Sequence, residues 1–330
     1  MENTFLGKTK TSGGDPKSFE QRVADYKTAV QRVHQQISHK LGRPIDPQKD
    51  VIVGFKTAVF RYKPGSHDAA LTDLQQGILH SVIKDTFPTL QQETLMPDSK
   101  EAKYFFDGTY TGFLSQYPKA KGKKVVAIDL GSGSTEITAA NKEEKPFLQS
   151  IEFGDGNHTL STIEKEKPKG ETLNAQELQK LRQGAKNAAL KVLQKNKKLQ
   201  KPDYLQYGFL QTQFQEYLAP YLKTNSQVDL FKQPVSKVIL ENLLKNDTAL
   251  NQLKNDCEPH LQAYVKATGR GEEGERNNLQ TLPKNLAIIL GYMDALGVKQ
   301  IYFADYGGVK SGYALEIAKQ FAKLPNPKSN

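Results

Sequence analysis

An apolar run that ends in a carboxylate and continues directly into small residues limits the folds open to this chain. Residues 125–129 read Val-Val-Ala-Ile-Asp, the pattern of a buried strand that delivers Asp129 to its end. Gly131, Ser132, Gly133 and Ser134 follow, and such residues let the backbone turn sharply with several N–H groups facing one concavity. The sequence therefore predicts a buried strand followed by a tight turn.

Predicted helices and strands alternate along the rest of the chain. Apolar residues at spacings of three or four predict helices over residues 15–41, 71–83, 173–199, 238–253, 257–266, 285–296 and 312–324. Short apolar runs predict strands over residues 50–55, 125–129, 202–207 and 301–304. We expect Thr172 to cap its helix, Gly42 and Gly297 to end theirs, and residues 269–278 to form a flexible loop. This alternation favours an α/β architecture.

Length and composition indicate a globular protein of about two domains. The chain has 330 residues, 37% of them hydrophobic and 25% charged, and no apolar run approaches the ~18 residues that a membrane span needs. Cys257 is the only cysteine, and the first residues lack a basic stretch followed by an apolar one. We therefore expect no disulfide framework, cysteine zinc site or secretory signal. The expected location is the cytoplasm. The basic turn after Pro118 divides the predicted lobes, 1–122 and 123–330.

Positive charge indicates a class of partner without identifying it. The 46 Lys and Arg exceed the 36 Asp and Glu, giving a formal charge of +10. Six lysines and no acid lie between Lys186 and Lys201, on the polar side of a predicted helix. A basic surface attracts polyanions such as nucleic acid, phospholipid headgroups or polyphosphate. Two interpretations stay open for this run: a solvated helix face or a surface that docks a polyanion.

The residues around the predicted turn suit phosphoryl chemistry. Backbone N–H groups and the hydroxyls of Ser132, Ser134 and Thr135 can donate hydrogen bonds to phosphate oxygens. Asp129 and Glu136 are hard oxygen groups of the kind that binds Mg²⁺ directly or through its waters. The alternative is a glycine-rich turn with solvated hydroxyls. Two carboxylates that bracket the turn favour the phosphate site.

Four segments, in order along the chain, resemble the Ppx/GppA family of exopolyphosphatases and guanosine pentaphosphate phosphatases. Asp129-Leu-Gly-Ser-Gly-Ser-Thr-Glu136 looks like that family's second phosphate loop. Asp98–Lys103 resembles its Gly-x-x-Glu-Ala-Arg segment, and Thr57–Arg61 its Thr-Ser-Ala-hydrophobic-Arg segment. Gly308–Gly312 is similar to its Gly-Leu-Arg-Glu-Gly, with Lys310 in place of arginine. The resemblance implies the two-lobed, actin-like (ribonuclease H-like) fold of the actin, sugar kinase and heat-shock ATPase superfamily, with an active-site cleft between the lobes.

The resemblance also implies a reaction and roles for particular residues. Family members hydrolyse terminal phosphoanhydride bonds of inorganic polyphosphate or guanosine pentaphosphate with magnesium, and they are often dimers. Carried onto this sequence, Glu101 and Glu136 would be catalytic, and Asp129 and Glu136 would hold Mg²⁺. The phosphate-binding residues would be Gly131, Ser132, Gly133, Ser134, Thr135 and Arg61. No membrane association and no specific nucleic-acid binding are expected.

Departures from the family pattern leave a second hypothesis open. Members normally begin with a strand and a first phosphate loop, Asp-Ile-Gly-Ser-Asn-Ser, which this sequence lacks, so the first lobe is expected to be truncated at its N-terminus. Gln206–Leu210 stands where a Gly-Gly-Thr turn is expected. The second hypothesis is a relative that binds polyphosphate, a nucleotide or a protein partner with little or no turnover. A nucleoside triphosphate diphosphohydrolase is disfavoured, since that group typically has glutamine where this chain has Glu136.

Overall fold

The structure is a computed structural model that describes ten parts of the chain. They are residues 19–46, 53–54, 73–88, 91–92, 98–130, 135–140, 147–151, 173–208, 213–303 and a few positions between 313 and 316. The chain divides into two compact units, residues 1–101 and 102–330. The lobe boundary predicted near residue 122 stays a prediction.

Two helices and a short parallel strand pair make up the described part of the first unit. Its elements are α1 (Phe19–Leu41), β1 (Val53–Gly54), α2 (Asp73–Thr86) and β2 (Gln91–Gln92), followed by the first residues of α3 (Asp98–Gln116). Tyr26 and Val30 of α1 pack against Ile83 and Phe87 in a small buried cluster. Gly42, at φ +65°, follows α1 as predicted, because glycine adopts this left-handed conformation without penalty.

A six-stranded mixed sheet is the centre of the second unit. Its strands are β3 (Val125–Leu130), β4 (Thr135–Ala140), β5 (Phe147–Ile151), β6 (Tyr204–Tyr207), β7 (Val235–Ser236) and β8 (Gln300–Phe303), in the order β5-β4-β3-β6-β8-β7. β3, β6 and β8 run parallel to one another, whereas β4, β5 and β7 pair antiparallel with their neighbours. β3, the predicted buried strand, is therefore an inner strand of this sheet.

The helices of the second unit include a one-turn π-helix. After α3 come α4 (Ala175–Lys195), the π-helix (Gln213–Leu218), α5 (Ala219–Ser226), α6 (Lys237–Leu243), α7 (Asp247–Thr268) and α8 (Glu272–Leu296). Short 3₁₀ turns cover Pro118–Ala120 and Lys197–Leu199. No helix in the described part of the chain is long and apolar enough to cross a bilayer.

Both faces of the sheet are covered, which confirms the predicted α/β fold class. On one face Val126, Ile128 and Ile137 join the main core with side chains of α4 and α8. On the other face, Phe113 of α3 packs with Val125 and Tyr302. Alternate residues of a strand point to opposite faces, so the near-continuous apolar run of β3 serves both cores.

Close packing joins α4 to α8. A β-carbon at Gly291 would clash with the carbonyl oxygen of Arg182 and lie 2.7 Å from the β-carbon of Ala185. Arg182 Nε donates to Asp294 Oδ2 at 2.6 Å, and Lys237 Nζ lies 2.5 Å from Asp294 Oδ1. Glycine therefore lets the two helices approach, and this ion cluster ties them to α6.

Three local predictions were wrong. Asn174 rather than Thr172 caps α4, and it forms a capping box with Glu177. The predicted helix over 238–253 is interrupted, because Asn246 caps a new helix there. The predicted loop over 269–278 is helical from Glu272 onward, with Gly269 ending α7 at φ +66°.

Candidate functional site

The site is built on the hairpin of β3 and β4. The two strands pair antiparallel from Val125↔Ala140 to Leu130↔Thr135, and the chain between the last pair is residues 131–134. This register makes Asp129 and Glu136 direct partners across the hairpin. Residues that are opposite in an antiparallel pair have β-carbons about 5 Å apart. The backbone thus brings together the two carboxylate residues that the sequence only showed to bracket a turn.

Asp129 lies where three parallel strands end together. β3 pairs with β6 as far as Ile128↔Tyr207, and Gly208 N then donates to Ile128 O at 2.9 Å. β8 pairs with β6 as far as Phe303. In open α/β sheets ligands bind outside the carboxyl ends of the strands, near the point where the strand order reverses. Asp129, half-buried in an otherwise buried strand, occupies such a position.

The carboxylate pair suits a divalent cation. Like charges directly opposite each other in a sheet are mutually unfavourable, so this register favours a bound cation or a shared proton. Mg²⁺ is commonly held by one or two carboxylates together with substrate phosphates and water. No group of three or more His, Cys, Asp or Glu suited to a metal occurs among the described residues. With Mg²⁺ bound, Asp129 and Glu136 would hold the ion together with oxygen atoms of substrate and water.

Thr135 begins β4 and is fully buried, opposite Leu130. It is the one predicted phosphate-binding residue whose side chain the structure describes. That side chain is buried next to the turn, where β4 begins. Gly131, Ser132, Gly133, Ser134 and Arg61 lie outside the described residues. Glu101 lies in the first turn of α3, and the side chains of Glu101 and Glu136 lie outside the described part.

Gly208, which the sequence analysis did not single out, positions α3 against the sheet. A β-carbon at Gly208 would lie 2.5 Å from Phe105 Cε2 and 2.7 Å from Thr109 Cγ2. One strand position earlier in the same row, Gln206 Nε2 donates to Thr109 O at 3.3 Å. Phe113 and Tyr204 meet with ring centroids 5.7 Å apart. α3 therefore runs antiparallel to β6, and only glycine fits beside Phe105 at the end of that strand.

Solved structures, but no family model and no curated protein, match this chain. The Ppx/GppA family member of Aquifex aeolicus is 12% identical, with 92% of this chain and 84% of that chain covered and a TM-score of 0.56. An exopolyphosphatase of Cytophaga hutchinsonii is 14% identical, with 94% and 86% covered and a TM-score of 0.59. An exopolyphosphatase-like protein is 11% identical, with 92% of this chain and 84% of that chain covered and a TM-score of 0.59. The predicted resemblance is thus confirmed at the level of structure: this chain has the actin-like fold of the Ppx/GppA proteins.

Proposed function

We propose that this protein hydrolyses terminal phosphoanhydride bonds, with inorganic polyphosphate or guanosine pentaphosphate as substrate. The observation that carries the proposal is the pairing of Asp129 with Glu136 at the carboxyl end of the parallel strands. Two further points support it: the intervening segment has the composition of a phosphate loop, and the solved structures with this fold include exopolyphosphatases. A net charge of +10 suits a polyanionic substrate.

The proposed mechanism relies on positioning and charge rather than on covalent chemistry. Backbone N–H groups of residues 131–135 would hold the terminal phosphoryl oxygens, while Asp129 and Glu136 would hold Mg²⁺. When bound, the ion would supply positive charge that offsets the negative charge of the phosphoryl group. Glu101 would orient the attacking water and accept its proton, a role that rests on the resemblance of its segment. Phosphoryl transfer needs little more than such placement, so small displacements of these groups are costly.

Phosphate release tests the proposal. Long-chain polyphosphate, guanosine pentaphosphate and ATP are each supplied with magnesium or with EDTA. Asp129→Asn and Glu101→Ala should each lower the rate by about 100-fold or more, since one lost preorganised group has this effect. Glu273→Gln is the matched control, because Glu273 is an exposed carboxylate on the first turn of α8 and should leave the rate unchanged.

Two outcomes would contradict the proposal. Release that survives EDTA and Asp129→Asn would mean that the reaction does not use this hairpin. Saturable polyphosphate binding without release would favour the second hypothesis, a binding protein without turnover. Preference between polyphosphate and guanosine pentaphosphate follows from the relative kcat/KM of the two substrates.

A further inference from the structure

Two lysine-bearing turns meet at the amino ends of β3 and β6. One covers residues 118–124 and the other residues 195–203. Lys124 joins them: its backbone N donates to Asp203 Oδ2 at 2.8 Å, and its O accepts from Asp203 N at 2.9 Å. Lys124 Nζ also donates to the carbonyl oxygens of Lys197 and Gln200. These contacts fix the two turns side by side.

The joined turns form a densely positive surface. Its six exposed lysines, which we call the lysine surface, are Lys119, Lys121, Lys123, Lys195, Lys197 and Lys201. None of the six forms an ion pair with any residue that the structure describes. Asp203 is the only acid in either turn, and its carboxylate accepts from the backbone of Lys124. Six ammonium groups thus face solvent with little local compensation.

The backbone of Lys201 favours a role for its charge. Lys201 has φ +49°, a left-handed conformation that costs free energy for a residue with a β-carbon and that glycine or asparagine adopts more readily. Gly122, at φ +81°, supplies the facing turn with its own left-handed residue. The chain therefore keeps lysine at a position where stability alone favours glycine. An observed outlier of this kind is a reason to look for function.

The groups on this surface suit bare phosphate better than nucleic acid. Lysine presents a compact point charge, without the bidentate fork of arginine or an amide that reads base edges. Binding of single-stranded nucleic acid commonly uses aromatic rings on which bases stack. The tyrosines beside the turns have their rings engaged already, since Tyr117 and Tyr204 pack against Tyr302 with centroids 4.9 and 5.3 Å apart. The chemistry favours a chain of phosphates with no bases.

We propose that the lysine surface is a binding site for long-chain inorganic polyphosphate, separate from the phosphate-loop hairpin. β3 begins directly after Lys124 and ends directly before residue 131. At ~3.3 Å per residue, its six residues place the two sites about 20 Å apart at opposite ends of one strand. Binding at the lysine surface needs no turnover. The lysine surface would retain a long polyphosphate chain while its end reacts at the hairpin, and this role rests on the proposed function.

Binding in EDTA measures this site without hydrolysis. The test variant is K123Q/K201N, which removes two exposed charges and gives the left-handed position a residue that tolerates it. Its urea unfolding midpoint should equal or exceed that of the wild type. The matched control, K245N/K266Q, removes two exposed lysines that likewise form no ion pair with described residues. Long-chain polyphosphate, tripolyphosphate and single-stranded RNA of equal total charge are the probes.

We expect K123Q/K201N to bind long-chain polyphosphate five- to tenfold more weakly than wild type, the effect of about two exposed ion pairs. The slope of log K against log salt should fall by about 1.4, taking ~0.7 per phosphate contact. The control should change affinity by less than twofold. Tripolyphosphate should bind weakly to all three proteins, since a short chain meets few of the lysines.

Equal polyphosphate affinity of K123Q/K201N and wild type would overturn the proposal. Tighter binding of RNA than of polyphosphate, lost in the same variant, would assign the surface to nucleic acid instead. The two proposals fail separately. If the wild type releases no phosphate but K123Q/K201N binds polyphosphate more weakly than the wild type, only the proposed hydrolysis is contradicted. If phosphate is released but the variant binds polyphosphate as tightly as the wild type, only the second site is contradicted.

Discussion

Gly208→Ala tests whether the seating of α3 on the sheet controls both stability and activity. The added β-carbon would lie 2.5 Å from Phe105 Cε2 and 2.7 Å from Thr109 Cγ2, well inside ordinary contact. Overpacking of a core of this kind costs about 2 kcal/mol. Alanine also adds about 0.5 kcal/mol to the free energy of unfolding, because it lowers the conformational entropy of the unfolded chain. The net loss is about 1.5 kcal/mol, or about 5 °C in Tm at ~2–4 °C per kcal/mol for a unit of this size.

The same substitution should reduce phosphate release more than stability alone explains. Phe105 and Thr109, the residues in this clash, belong to α3, so we expect its relief to displace that helix, which includes Glu101. In the role proposed for Glu101, a displacement of ~1 Å should cost about 100-fold in rate. Thermal unfolding and phosphate release at 20 °C, where the variant remains folded, separate the two effects.

Two other glycines provide the controls. Gly291→Ala introduces a comparable clash, against Arg182 and Ala185, at a helix contact that does not involve α3. It should lower Tm by a similar amount and leave the rate of the folded protein nearly unchanged. Gly274→Ala, on α8 with nothing within 4 Å of the added carbon, should be neutral or stabilising. A Gly208→Ala protein with wild-type Tm and rate would refute the reasoning.

Two further predictions concern a partly buried carboxylate, Asp294, and an almost fully buried one, Glu275. Burial raises the pKa of Asp294, but hydrogen bonds from Arg182 and Lys237 outweigh burial and hold it below 3.8, its ordinary value. The wild type should therefore have a higher free energy of unfolding in urea than Asp294→Asn. This difference should be largest above pH 3.8 and decrease as the pH falls below it, and a difference that does not change with pH would contradict the reasoning. Glu275, almost fully buried, accepts a 2.7 Å hydrogen bond from the hydroxyl of Tyr217, whose pKa is raised by burial and by that bond. Tyr217→Phe should cost about 1–3 kcal/mol in urea unfolding at pH 7, and an unchanged midpoint would show that the bond contributes little.

Strong local signals made part of the fold predictable. The apolar run of β3 and the glycines that end α1 and α8 were recognised because each signal is contained within a few residues. The segment over 269–278 was mistaken for a loop because its three glycines and several polar residues resemble a turn. Glu275 is nonetheless buried against Tyr217 of the π-helix, 58 positions away along the chain. Pairing over such a distance leaves no pattern in the local sequence.

The candidate site was predictable in composition but not in geometry. The sequence identified Asp129 and Glu136 as a bracketing pair, yet β4 itself was not predicted, so their direct pairing could not be inferred. Gly208 was also missed as a packing residue, because its role arises from Phe105 and Thr109, about a hundred positions earlier. A glycine directly after a predicted strand was the available signal. Close approach of backbone or side chains is a common reason for such a glycine.

Because β3 is an inner strand, the backbone of the site loses its conformational entropy when the protein folds. β3 is hydrogen-bonded to β4 on one side and to β6 on the other, and helices cover both faces of the sheet. The backbone entropy at Asp129 is therefore lost once, during folding, rather than at each binding event. An arriving cation and phosphate meet a carboxylate whose backbone is already in place, so their binding energy remains available for the reaction itself.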